Sequence, residues 1–151
     1  MSENKGLKEK LLTKCIELKV ESETNILAAM EDAQQSANEY GAPKDRYDSF
    51  RAQLMRKRDM LGHQLAVVQD ELRYLRQVNA YTFVKTVEAG ALVILDSQIL
   101  FILAGIGKVV IDSKTVYVVS PVVPLVQAMK GLKPGDSFSF RGATMKILEI
   151  C

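Results

Sequence analysis

One breaker constrains this chain more than any other feature. Tyr40-Gly41-Ala42-Pro43-Lys44-Asp45-Arg46-Tyr47-Asp48 is the only strong helix-breaking stretch in the first eighty residues. Gly41 lowers helix stability and Pro43 both removes a donor and clashes with the preceding turn. Helical patterning runs away from it on both sides. Upstream, Leu11, Cys15, Leu18, Ser22 and Asn25 alternate in steps of four and three, and the stripe continues one step over through Ile26, Met30, Ala33, Ala37 and Tyr40. Downstream, Leu54, Leu61, Leu65, Val68, Leu72 and Leu75 keep the same alternation, with Arg58 in the gap between Leu54 and Leu61. This is coiled-coil spacing. The pattern predicts helices over about 7–40 and 45–78, each roughly 50 Å long at 1.5 Å per residue. Joined by so short a connection, they must pack antiparallel. Polar Ser22 and Asn25 weaken the middle of the first seam. The tip of this hairpin carries Glu39, Asp45 and Asp48.

After Asn79 the patterning changes. Tyr81–Lys85, Ala91–Leu95, Ile99–Leu103, Lys108–Ile111 and Thr115–Val119 read as strands. Gly105-Ile106-Gly107 and Asp112-Ser113 read as hairpin turns between them. A short helix over 125–130 stops at Gly131, and a last hairpin turns around Gly142. The expected fold class is therefore α+β. An antiparallel helical hairpin fills 1–79, with its tip at 40–48, and a small antiparallel sheet domain with one helix fills 80–151.

Composition excludes several functions. The net charge is only +2, and acids and bases nearly balance in both halves, so duplex nucleic acid has no basic face to bind. Cys15, Cys151 and the lone His63 have no metal-ligand spacing, and no nucleophile–histidine set is available. The most apolar run is interrupted by Asp96, Gly105, Gly107 and Lys108, and the N-terminus lacks the apolar core of a signal peptide. A soluble, cytoplasmic protein with reduced thiols is expected.

The C-terminal half resembles the C-terminal domain of the Gre transcript-cleavage factors of bacterial RNA polymerase. The residues that carry the resemblance are Val119-Ser120-Pro121, Pro124, Ala128, Gly131, Gly135-Asp136 and the closing strand Ile147–Ile150. In that family a Ser-Pro … Pro … Ala-Leu … Gly-Lys … Gly-Asp run fills this place on an FKBP-like fold, behind a helical hairpin of this length. The resemblance implies RNA polymerase as partner. The globular part docks at the mouth of the secondary channel and the tip reaches the catalytic centre. It implies no cofactor of the protein's own, and Mg²⁺ only in the complex, held in part by tip carboxylates as hard oxygen ligands. It also implies an accessory factor rather than an enzyme.

Laid on Gly41 to Arg46, the family's Gly-Asp-Leu-Lys-Glu-Asn tip matches Gly41 and Lys44, and its second acid falls on Asp45. The first acid falls on Ala42, which ligates nothing. Asp48, one turn after Asp45, or Glu39 before the turn, are the replacements within reach. Asp45 and Asp48 also suit the cap and first turn of a helix. Lys44, Arg46 and Tyr47 are candidate tip contacts. Arg56, Lys57, Ser120, Pro121, Pro124, Gly135 and Asp136 are candidate polymerase-docking residues. Three outcomes stay open. The chain stimulates cleavage, occupies the channel without cleaving, or uses its coil as an interaction or dimerisation module. A monomer is the simplest expectation. Peptidyl-prolyl isomerase activity is not expected, since the chain has no Trp and its aromatics (Tyr81, Phe83, Phe101, Tyr117, Phe138, Phe140) are spaced as ordinary strand residues.

Overall fold

The computed structural model describes residues 2–41, 49–80 and 82–151. Two long helices, α1 (Ser2–Tyr40) and α2 (Ser49–Gln77), precede six strands and a short helix. The strands are β1 (Leu92–Leu95), β2 (Ile99–Ile102), β3 (Gly107–Ile111), β4 (Lys114–Val119), β5 (Ser137–Phe140) and β6 (Ala143–Ile150); α3 (Pro124–Met129) follows β4. By packing, the chain divides into Ile16–Arg76 and a second unit made of Met1–Cys15 with Gln77–Cys151. The first turns of α1 thus group with the sheet rather than with the hairpin.

Within the hairpin unit, four contacts fix the register. The rings of Tyr40 and Phe50 lie 4.9 Å apart. Arg51 Nε donates to the Gly41 carbonyl at 3.0 Å. A Cβ on Gly62 would meet the Met30 side chain at 3.7 Å. Lys19 and Glu71 form an ion pair at 3.0 Å. As the α1 partner moves back along the chain, the α2 partner moves forward by nearly the same step, so the helices run antiparallel. The α2 seam faces inward throughout: Leu54, Arg58, Leu61 and Leu65 are half-buried, and Val68, Leu72 and Leu75 are buried. On α1, Ala33 and Ala37 are buried and let the backbones approach closely. Such helices owe their stability to this stripe, at about 1.5–3 kcal/mol per fully buried Leu. Where Ser22 and Asn25 stand in the seam, it opens into a groove of about 470 Å³, also lined by Ile26, Gln64, Val67 and Val68.

The sheet order is β3-β4-β2-β1-β6-β5. Every pair is antiparallel except β2–β4, which is parallel, so the sheet is mixed. This corrects the hairpin read at Gly105-Ile106-Gly107. The chain leaves β2 there, turns through Gly107 (φ 98°) and becomes the edge strand β3. It then returns through Asp112 (φ 52°) and Ser113 (φ 64°) to set β4 between β3 and β2. Two consecutive positive φ values give the twist that a two-residue hairpin needs. The expected strand over 81–85 is also absent among its described residues, 82–85. Thr82 N bonds back to the Asn79 carbonyl in a turn, and the Thr82 carbonyl is taken by a side chain.

That side chain is Lys8, on the second turn of α1, and it is buried. Its ammonium donates to the carbonyl oxygens of Thr82 (2.9 Å) and Cys151 (3.1 Å) and lies 5.5 Å from the centre of the Phe83 ring. Desolvation by burial pulls its pKa below the ordinary lysine value, partly offset by charge at Cys151. Cys151 in turn pairs with Leu92 through both backbone groups. Exposed Lys10 adds an ion pair to Asp112 at 2.7 Å. The core beneath the sheet holds Val87, Val93, Leu95, Leu100, Ile102, Val126, Met129 and Ile147. Among the described residues, no helix is long and apolar enough to cross a membrane.

Candidate functional site at the hairpin tip

The tip is built on two helix ends. α1 stops at Gly41, whose φ of 87° suits glycine, and Gly41 N donates to the Ala37 carbonyl at 3.1 Å. This is the single 5→1 bond of a left-handed helix cap. From the other side, Phe50 packs its ring on Tyr40 with a 56° tilt, and Arg51 reaches across to the Gly41 carbonyl. One aromatic pair and one guanidinium bond therefore clamp the two ends of the connection. Sequence reading passed over Phe50. The aromatic at the second residue of α2, opposite Tyr40, was the available signal.

Of the tip residues, Lys44, Asp45, Arg46, Tyr47 and Asp48 lie outside the described residues, as does Ala42. Glu39 is described. It is exposed on the last turn of α1, and its carboxylate accepts from Gln35 Nε2 at 3.3 Å. This bond uses one of the roughly four acceptor sites of the carboxylate. Among the described residues, no group of three or more His, Cys, Asp or Glu side chains could hold a metal ion. Arg56 and Lys57 are exposed on α2, two turns beyond the clamp.

In the sheet unit the two resembling motifs each have a local structural role. Ser120 starts the lead-in to α3: its Oγ accepts from Val122 N at 3.3 Å and its carbonyl from Val123 N at 3.3 Å. The Pro121 carbonyl accepts from Gln127 Nε2 at 2.9 Å. Pro124 opens α3, where its fixed φ suits the first turn and its missing donor costs nothing. Val122, between them, is among the most exposed apolar residues described, at 77%. Gly135-Asp136 closes a turn. Asp136 Oδ2 accepts from Lys133 N at 2.9 Å, and Gly135 N donates to the Ile147 carbonyl at 2.7 Å. Gly135 needs its glycine, with φ 93°. The motif thus pins the start of β5 to β6, which explains the residue types without reference to a partner.

No family model matches the chain, and no curated protein matches it by sequence. Solved structures similar to it include one of the transcription factor Gfh1, 15% identical, with a TM-score of 0.38 over 89% of this chain and 92% of that one. Another is GreA factor homolog 1 (Gfh1) of Thermus thermophilus, 13% identical, with a TM-score of 0.34 over 94% and 93% of the two chains. Superpositions this loose carry no functional argument.

Proposed function

We propose that this protein is a Gre-like transcription elongation factor. It binds RNA polymerase through the secondary channel and brings the hairpin tip to the catalytic centre. The observation that supports this reading is one of order. An antiparallel hairpin, with its tip clamped by Tyr40–Phe50 and Arg51–Gly41, precedes a sheet unit that carries Ser120-Pro121, Pro124 and Gly135-Asp136 in the places the resemblance assigns. Arg56, Lys57 and the exposed lead-in around Val122 and Pro124 are the docking residues in this proposal.

In the cleaving form of the proposal, Asp45 with Asp48 or Glu39 lends carboxylate oxygens to a Mg²⁺ in the polymerase's own active centre. A Mg²⁺ so held would supply an activated water for cleavage of the backtracked RNA. The protein's part is positional. One carboxylate is close to the least that holds a Mg²⁺ beside substrate phosphates. Ala42 favours the second form, in which the tip occupies the channel without cleaving.

Two experiments separate these forms from each other and from a coil used for other partners. Co-purification with RNA polymerase should be lost when residues 38–50 are deleted; full binding by the deleted chain would end the channel reading. On backtracked complexes, added cleavage by the wild type that disappears in Asp45→Ala or Asp48→Ala supports the carboxylate form. No added cleavage by the wild type leaves only occupancy.

A further inference from the structure

The hairpin's inward seam leaves a second stripe outside. Met60, Val67 and Tyr74 are 54%, 58% and 39% exposed. They stand seven residues apart, nearly two helical turns, and so lie along one line of α2. Single exposed apolar residues need no explanation. Three in register on the outer side of a helix repeat one of the two apolar positions of a heptad.

The charges around this stripe are ordered. Arg56 and Lys57 sit one turn before Met60; Asp70 and Glu71 sit one turn after Val67. The pattern reads the same, with the signs reversed, in both directions from a point between His63 and Gln64. A polymer of one charge sign would complement only half of it. A second copy, laid antiparallel, complements all of it, because a two-fold interface sets residue i against j and j against i.

We propose that the outer face of α2 pairs with the same face of a second copy of this chain, about a two-fold axis between His63 and Gln64. Met60 of one copy then sits against Val67 of the other, at the mouth of the groove lined by Ile26, Gln64 and Val68. Methionine, unbranched and flexible, suits such an opening. In antiparallel pairing, like flanks face each other, so Arg56 meets Asp70 on one side and Lys57 meets Glu71 on the other. Asp70 pairs with exposed Arg73, one turn along, an ion pair at the surface that can be shared; Glu71 keeps its bond to Lys19. The paired length is about 30 Å at 1.5 Å per residue. That is the small end of specific interfaces, so the dimer is reversible and depends on concentration. It departs from the monomer expected above, and it stands independently of the polymerase reading, because none of its tests involves the polymerase.

Sedimentation equilibrium on the full chain tests it, with helicity checked by circular dichroism. The wild type should pass from monomer to dimer as concentration rises. Val67→Glu should weaken the dimer at least tenfold. Arg56→Asp and Asp70→Arg should each weaken it several-fold, and the chain carrying both exchanges should recover. In a mixture of Met60→Cys and Val67→Cys chains, the mixed disulfide should form ahead of either homodimer. A wild type that stays monomeric throughout overturns the proposal. So do single charge reversals without effect, a double exchange that fails to recover, or a Met60→Cys chain that cross-links to itself first.

Discussion

Lys8 is the residue whose environment departs furthest from its place in the sequence. On an amphipathic helix a lysine between Leu7 and Glu9 reads as surface, and nothing in local patterning announces two carbonyl acceptors 74 and 143 residues away. Its lowered pKa has a definite sign. Unfolded, the ammonium titrates near 10.5; folded, it titrates lower. Between those values the unfolded state binds more protons, so the contribution to stability rises with pH there and is level below the folded pKa. Urea denaturation from neutral pH up to 10.5 should therefore show wild-type stability gaining on Lys8→Met as pH rises; a constant difference would contradict it. Gly41 makes a second residue-scale prediction. Ala at φ 87° is strained, so Gly41→Ala should cost about 1 kcal/mol in the same assay.

At the scale of elements, the helices were legible and the sheet's connections were not. Leu61, Leu65, Val68, Leu72 and Leu75 face inward because a stripe at three- and four-residue steps has only one way to be buried. Asn25 is exposed where polar residues were seen to weaken the seam. Strand periodicity locates β1, β2 and β4 but carries no direction. Gly105-Ile106-Gly107 could therefore be read as a hairpin turn when it is the exit to an edge strand. Residues 82–85 had strand composition but no place in a ladder. The tip carboxylates Asp45 and Asp48 lie outside the described residues. The seam also separates two kinds of substitution. Leu72→Ala removes a buried side chain and should cost about 2–5 kcal/mol. Met60→Ala, measured at a dilution that keeps the protein monomeric, should stay within about 0.5 kcal/mol. Phe50→Ala should lower stability modestly and raise amide exchange at Gly41, because the ring closing the tip on Tyr40 is gone.

At the scale of the molecule, the division at Asn79 suggested by the change of patterning would leave the first turns of α1 with the hairpin, whereas packing groups them with the sheet. A fragment of residues 80–151 lacks the Lys8 bonds to Thr82 and Cys151 and the Lys10–Asp112 ion pair. It should melt at a lower temperature, and over a broader range, than the sheet signals of the whole chain. An equal midpoint would mean that α1 contributes nothing there. The reach from Lys8 to Cys151 also orders events during synthesis. At roughly 5–20 residues per second, a ribosome takes about 7–30 s to cover the 143-residue separation from Lys8 to Cys151. The local contacts of the hairpin can form within that interval. Lys8, made early, has neither the Thr82 nor the Cys151 carbonyl to donate to until those residues emerge. The nascent chain thus sets its Lys8 anchor only after both the hairpin and the strands have been made, so the buried ammonium is a late event in folding during synthesis.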